Sequence, residues 1–107
     1  MVYKLNIGER FVLAQLLPSE GNFLLMKRRR ELLEALMEFT DEEQKQYGFV
    51  QNPDGRLNWN PEFAEMLFEI EIGELMADNI TKKIKQLDEQ NQLHDDQVTL
   101  YEKFVGT

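Results

Sequence analysis

Apolar residues in the first part of the chain recur at helical spacing. Residues 11–17 are apolar at all but one position, and they predict a helix over residues 8–17 that is surrounded by protein on most sides. Asn6 and Glu9 stand three residues apart at its start, as in a capping box that closes a helix N-terminus. A second helix is expected over residues 23–39, where Asn22 can cap the first turn.

The period of the pattern changes after a third helix. Thr40 and Glu43 repeat the capping-box spacing and predict a short acidic helix that ends near Tyr47. The turn sequence Asn-Pro-Asp-Gly at residues 52–55 separates two short apolar segments and predicts a β-hairpin. Residues 68–72 alternate strictly between apolar and acidic, as in a half-buried strand. We expect this strand to join the hairpin in one three-stranded antiparallel sheet.

The last third of the chain carries a single narrow apolar stripe at helical spacing. Its members are Met76, Ile80, Ile84 and Leu87. They predict a long helix over residues 74–90, and a final helix is expected after Asp95 or Asp96. The predicted class is therefore α+β: two N-terminal helices, a short acidic helix, a small antiparallel sheet of a hairpin plus one strand, and two C-terminal helices. The length and the lack of a linker favour one domain over residues 1–107.

Composition removes several classes of function. The chain has no cysteine, which excludes disulfides, zinc–cysteine sites and thiol nucleophiles. With one histidine and neither a phosphate-binding glycine loop nor a nucleophile motif, we expect no enzyme, no cofactor and no bound metal. No stretch has the apolar length of a signal peptide or of a membrane span, which takes about 20 residues. These features favour a soluble cytoplasmic protein without a membrane partner.

Charge is distributed unevenly along the chain, whose net charge is −8. Residues 1–40 carry a net +1, whereas residues 41–107 carry a net −9. The acidic part predicts a surface that docks on a basic partner protein, although a negative charge that only maintains solubility is the alternative. The residues expected at this surface are Glu42, Glu43, Tyr47, Trp59, Glu69 and Glu71. Tyr47 and Trp59 are candidate apolar anchors of this surface, although for Trp59 a place in the core is the preferred interpretation.

Four consecutive cations at residues 27–30 form the opposite feature. Successive helical residues are about 100° apart, so the four cannot form one flat patch. Arg29 falls within the apolar arc of its helix and needs an internal carboxylate or several carbonyl partners if it is buried. Lys27, Arg28 and Arg30 lie at the edges of that arc or beyond, and are a candidate anion-binding site. Such a site would contact the phosphates of a nucleic acid, a partner that the overall negative charge disfavours.

The order helix, helix, short helix, hairpin resembles the order of elements in a winged-helix domain. This resemblance covers the first half of the chain only, with the hairpin as the wing and the helix at residues 40–47 as the recognition helix. The acidic first turn of that helix opposes contact with DNA phosphates. A winged-helix-like shape used for protein contact is compatible with the charge.

The whole chain resembles a group of small proteins, without assigned activity, that are encoded by bacteriophages and prophages of Gram-positive bacteria. The matching segments are LNIGER at 5–10, LLP at 16–18, EGNF at 20–23, FTDEE at 39–43, EIEIGE at 69–74 and LYEKF at 100–104. The resemblance implies a phage product that acts in a bacterial cytoplasm or is built into a virion, and it implies no catalytic residue. We therefore expect a protein that binds a host or phage protein. The alternatives are nucleic-acid binding through the basic cluster and virion assembly.

Overall fold

A computed structural model describes residues 1–51, 53, 57–63 and 65–106. The helices of this part are α1 (Ile7–Leu16), α2 (Phe23–Met37), α3 (Asp41–Tyr47), α4 (Glu74–Glu89) and α5 (Val98–Phe104). The strands are β1 (Val2–Leu5), β2 (Val50–Gln51), β3 (Leu57–Asn58) and β4 (Phe68–Glu71). Single 3₁₀ turns lie at Pro61–Phe63 and Asp95–Gln97. The α+β class and the predicted helices are confirmed.

Side chains that the sequence marks as caps begin the first three helices. Asn6 accepts a hydrogen bond from the backbone N–H of Glu9 at 2.8 Å, and Glu9 accepts one from the N–H of Asn6 at 2.9 Å. Thr40 and Glu43 form the same reciprocal pair at 3.1 and 3.0 Å. Asn22 caps α2 through its side-chain oxygen. Each cap typically stabilises a helix by about 1 kcal/mol, so local chemistry sets these three starting points.

The described strands form two separate sheets, so the predicted single sheet of three strands is wrong. β4 pairs antiparallel with β1, with Val2 opposite Glu71 and Leu5 opposite Phe68. β2 and β3 pair with each other as a hairpin, and its turn at residues 52–55 falls mostly outside the described residues. Strand periodicity is local and does not specify a partner. Here the partner of β4 is the beginning of the chain.

Two apolar clusters hold these elements together. The main core lies among α1, α2, α4, α5 and the inner face of the β1–β4 sheet. Its fully buried side chains are Leu5, Ile7, Leu13, Leu36, Ile72, Ile80, Ile84 and Leu100. The second cluster is aromatic, with ring centroids 4.9–6.4 Å apart. It contains Phe11, Phe39, Tyr47, Phe49, Trp59, Phe63 and Phe68.

Arg10 joins the two clusters and closes the C-terminal end of α2. It is only 3% exposed. Its Nε donates to the carbonyl of Leu36 at 2.9 Å, and a terminal nitrogen donates to the carbonyls of Ala35 at 3.0 Å and Glu38 at 3.2 Å. Its guanidinium also lies 4.1 Å from the ring centroid of Phe39. The last four carbonyls of a helix have no partner within it, so one buried cation satisfies two of them in α2 and also the carbonyl of the residue that ends the helix.

Candidate functional site

The acidic residues predicted on α3 are partly used inside the fold. Glu42 is exposed, whereas Glu43 is half-buried and accepts the N–H of Thr40. That backbone hydrogen bond lowers the pKa of Glu43 below its ordinary value. Tyr47 is 3% exposed, and burial together with the charge of Glu43 raises its pKa. Tyr47 therefore cannot act as a surface anchor, because a partner cannot reach its side chain in the folded protein.

Trp59 is half-buried against α1. Its ring lies 5.8 Å from that of Phe11, centroid to centroid. A Cβ built on Gly8 would come within 3.4 Å of the indole, so the first turn of α1 is closely covered by it. The position of Trp59 thus fits a place in the core better than the role of a free surface anchor.

Glu69 and Glu71 project from the outer face of β4 and are exposed. Their neighbour Phe68 points the other way, into the aromatic cluster that also holds Tyr47 of α3. Successive residues of a strand alternate between the two faces of a sheet. The two glutamates therefore lie on the opposite face of β4 from α3, and the predicted acidic surface is divided in two.

The basic cluster is likewise divided by the geometry of α2. Lys27 and Arg30 are exposed and form no ion pair with any described residue. Arg28 is paired with Glu31 on the next turn, at 3.0 Å. Arg29 is half-buried, and its Nε is buried without a hydrogen-bond partner in the described part of the chain. Neither a carboxylate nor a carbonyl of the described residues accepts from the Nε of Arg29, and the buried arginine is Arg10.

The structure adds one residue that the sequence analysis did not select, Phe23. It is 82% exposed, whereas the other ten aromatic side chains, all described, are buried or half-buried. Phe23, Lys27 and Arg30 are spaced i, i+4 and i+7, which places them along one stripe of α2. Leu24 is also exposed beside Phe23. We call these four residues the outer face of α2.

A helical projection of the sequence predicts that Phe23 and Leu24 lie outside the core. Steps of 100° per residue place Phe23 about 110° and Leu24 about 150° from the centre of the apolar arc of α2, which is formed by Leu25, Met26, Leu32, Leu33, Leu36 and Met37. Their apolar character alone suggests core, but their angular position puts them outside it. In agreement, the buried residues of α2 are Leu32 and Leu36, in its C-terminal half.

The described surface contains open clefts of different sizes. A cleft of about 220 Å³ lies between α2 and the β4–α4 junction, with Arg28, Glu31, Leu32 and Glu71 among its lining residues. Two larger clefts of about 500 Å³ each lie beside α4, one with Leu87 and His94 and the other with Pro18 and Asn79 among its lining residues. The first volume is below the roughly 300–1,000 Å³ of typical ligand pockets, and the other two lie within that range. Within residues 1–51, 53, 57–63 and 65–106, no three acidic or histidine side chains come together to hold a metal ion. None of the described helices has both the length and the apolar character needed to cross a membrane.

No protein-family model matches the chain, and neither does any curated protein or solved structure. The function must therefore be inferred from the chemistry of the protein's own surface.

Proposed function

We propose that the protein is a non-enzymatic interaction protein that binds an acidic partner protein through the outer face of α2. One observation carries the proposal: Phe23 is 82% exposed and stands one helical turn before Lys27. The setting suggested by the resemblance is a bacterial cytoplasm, with a host or phage protein as the partner. The direction of docking differs from the sequence-based expectation, because the binding surface proposed here is basic and its partner acidic.

Phe23 has the properties of an interface anchor. Transferring a phenylalanine side chain out of water contributes about 1.5–3 kcal/mol, and aromatic residues are frequent among the dominant residues of interfaces. Phe23 is held on a capped helix of 15 residues, so its backbone is already ordered before binding. Leu24 extends the apolar area beside it. An apolar hollow on a partner would bury both side chains at low entropic cost.

The charges around Phe23 specify an acidic partner. Lys27 and Arg30 follow the ring along the same stripe, one and two turns later, and the first turn of α2 contains no acidic residue. The N-terminus of a helix adds a partial positive charge of its own. The net charge of −8 repels an acidic partner at long range, but salt screens this repulsion beyond about 8–10 Å. At contact distance the local cations therefore dominate the interaction.

The same geometry favours one second candidate, the binding of single-stranded nucleic acid. An exposed aromatic ring can stack on a base while neighbouring cations contact phosphates. Phe23, Lys27 and Arg30 supply both parts of such a site. The exposed acidic residues Asp41 and Glu42 at the start of α3 and the overall negative charge oppose it.

Peptide selection tests the proposal without a known partner. Random 16-residue peptides displayed on a carrier are selected on the immobilised protein, and the affinity of the enriched peptides is then measured. We expect peptides that combine Asp or Glu with an aromatic residue or leucine. Phe23→Ala should weaken their binding at least tenfold, which corresponds to about 1.4 kcal/mol. A 16-nucleotide single strand of DNA, tested at 50 and 200 mM salt, examines the second candidate.

The control separates local charge from total charge. Lys27→Glu with Arg30→Glu changes the net charge by the same amount as Lys82→Glu with Lys85→Glu on the exposed side of α4. The first pair should abolish peptide binding and the second should leave it within about twofold. Equal loss in both pairs, or selected peptides that bind Phe23→Ala as well as the unchanged protein, would contradict the proposal. DNA binding that Phe23→Ala abolishes would replace it with the second candidate.

A further inference from the structure

The two outer edges of the β1–β4 sheet differ in how they are occupied. On β1, the carbonyl of Lys4 accepts a hydrogen bond from Nζ of Lys103 at 2.7 Å. On β4, the register determines which backbone groups face outward. Ile72 donates to the carbonyl of Met1 at 2.9 Å, and hydrogen-bonded and non-hydrogen-bonded pairs alternate along an antiparallel ladder. The N–H and C=O groups of residues 69 and 71 therefore point away from β1.

The outer edge of β4 lacks a partner within the described part of the molecule. No described residue makes a hydrogen bond with the backbone of Glu69 or Glu71 on that side. Exposed apolar side chains stand at both ends of the strand: Met66 and Leu67 precede it and Leu75 follows it. The cleft described above lies beside Glu71. Unpaired strand edges next to apolar surface are the usual template for the addition of another strand.

We infer that the outer edge of β4 is a second docking site, which accepts an extended basic segment of a partner protein as an added strand. Backbone hydrogen bonds would come from the groups of residues 69 and 71. Side chains of neighbouring strands that stand directly opposite one another are about 4.5–5.5 Å apart. Lys or Arg at alternate positions of the added strand would therefore meet Glu69 and Glu71.

Charge complementarity selects this occupant over a second copy of the chain. Two copies of β4 paired through the same edge would bring carboxylates of one strand opposite those of the other, which is destabilising. On the β1 side, Lys4 stands opposite Glu69, whereas the residue opposite Glu71 is the uncharged Val2. Glu74 also lines the cleft beside Glu71. A basic side chain is therefore best matched at the Glu71 end of the strand.

The inference goes beyond the proposed function, because it uses a different element, a different partner chemistry and different residues. The outer face of α2 is apolar and basic, whereas the edge of β4 is flanked by carboxylates. A protein with both surfaces can hold an acidic partner and a basic partner at the same time. The variants of α2 should accordingly leave the β4 edge intact.

An eight-residue peptide of alternating Lys and Val, acetylated and amidated, serves as the probe. We expect the peptide to protect the amides of Glu69 and Glu71 from hydrogen exchange at least tenfold, as measured residue by residue by NMR. Two further peptides carry N-methyl groups on one or the other alternating set of amides. Only the set that faces β4 is needed for pairing, so one methylated peptide should lose binding and the other should retain it.

Substitutions provide the matched control. The affinity for the peptide should fall at least tenfold in the double variant Glu69→Lys with Glu71→Lys. It should not fall in the control Asp88→Lys with Glu89→Lys, which makes the same change of charge on α4. Phe23→Ala should bind the peptide normally, so failure of the proposed function would not affect this result. Equal behaviour of the two methylated peptides, or binding without amide protection, would overturn the inference. Protection that rises with protein concentration in the absence of peptide would assign the edge to a second copy and overturn it as well.

Discussion

The Nζ atom of Lys103 lies 2.6 Å from Oε1 of Glu9, ninety-four residues earlier in the chain. Glu9 is 4% exposed and also accepts the N–H of Asn6, so its carboxylate both caps α1 and holds α5. The same amine donates to the carbonyl of Lys4 on β1. One lysine thus connects the last helix to the first strand and the first helix.

Loss of this lysine should destabilise the fold. Lys103→Met leaves the carboxylate of Glu9 buried without its cation, and hydrogen bonds to charged groups contribute about 1.5–3 kcal/mol. Because Lys103 is partly exposed, we expect a loss near the lower end of this range, about 1.5 kcal/mol. Urea unfolding followed by circular dichroism measures it. Lys82→Met, on the exposed side of α4, is the control and should change the unfolding free energy by less than about 0.5 kcal/mol.

The free energy of unfolding should depend on pH through the ionisation of Glu9. Burial raises the pKa of its carboxyl, but the hydrogen bond from Lys103, the N–H of Asn6 and the charge of Lys103 outweigh burial and hold the pKa below its ordinary value of 4.5. The pKa of Glu9 is therefore lower in the folded chain than in the unfolded chain. The stabilisation that follows from this difference is complete at pH values above the pKa of the unfolded chain, and it is lost as the pH falls through the pKa of the folded chain.

The stability of Glu9→Gln should therefore fall less steeply than that of the unchanged protein as the pH drops below about 4.5. Unfolding free energies measured from pH 3 to pH 7 test this. The difference between the two proteins should be largest near neutral pH and should shrink in acid. A constant difference across the range would show that the ionisation of Glu9 does not contribute.

Arg10 should tolerate no replacement, including lysine. Its planar guanidinium donates to three carbonyls at once and stacks on Phe39, a geometry that a lysine amine cannot reproduce. We expect Arg10→Lys to cost about 2–4 kcal/mol, since buried carbonyls and a buried cation lose partners. Arg30→Lys, on the exposed side of α2, is the matched control. Thermal unfolding midpoints that fall equally for both variants would disagree with the structure.

Phe23 should be dispensable for folding although it is large and apolar. Phe23→Ser is expected to change the unfolding free energy by less than about 0.5 kcal/mol, as for other exposed positions. Leu36→Ala, at a fully buried site on the same helix, should cost about 2–5 kcal/mol. Denaturant unfolding of the two variants measures the contrast. A large loss for Phe23→Ser would mean that the side chain packs within the fold and is no docking anchor.

Features set by neighbouring residues were predictable from the sequence. Asn6, Asn22 and Thr40 begin helices because a short polar side chain reaches amides two or three residues on, and this chemistry needs no distant contact. The stripe through Met76, Ile80 and Ile84 faces the core for the same local reason. These signals define where helices begin and which side they bury.

Features set by distant residues were not predictable. The pairing of β4 with β1 joins positions 63 to 69 residues apart, and alternation in Phe68–Glu71 is equally compatible with the hairpin as a partner. The helix terminus that Arg10 closes belongs to α2, and nothing near Arg10 in sequence indicates it. Tyr47 is predicted as an apolar anchor of the acidic surface, yet its side chain packs inward and is 3% exposed.

The candidate site was only partly predictable. The four consecutive cations on α2 could be read from the sequence. Which of them are exposed, which is paired and which is half-buried depends on the helix geometry and on the residues packed around it. A helical projection could have predicted that Phe23 is exposed, but an apolar residue beside a helix start is ordinarily assigned to the core. The open edge of β4 could not be anticipated, because it exists only once β1 is known to occupy the other side.

The ring of Tyr3 stacks on that of Phe104 with centroids 4.4 Å apart, beside the contact of Lys4 with Lys103. On the ribosome, β1 leaves the exit tunnel long before β4, and α5 follows later still. β1 therefore stays unpaired until β4 has been synthesised, while α1 and α2 can already pack on each other. Closing a loop of this length is slow relative to local helix formation. The β1–β4 sheet is thus completed later than the first two helices, and until then the nascent chain presents an open strand edge to chaperones.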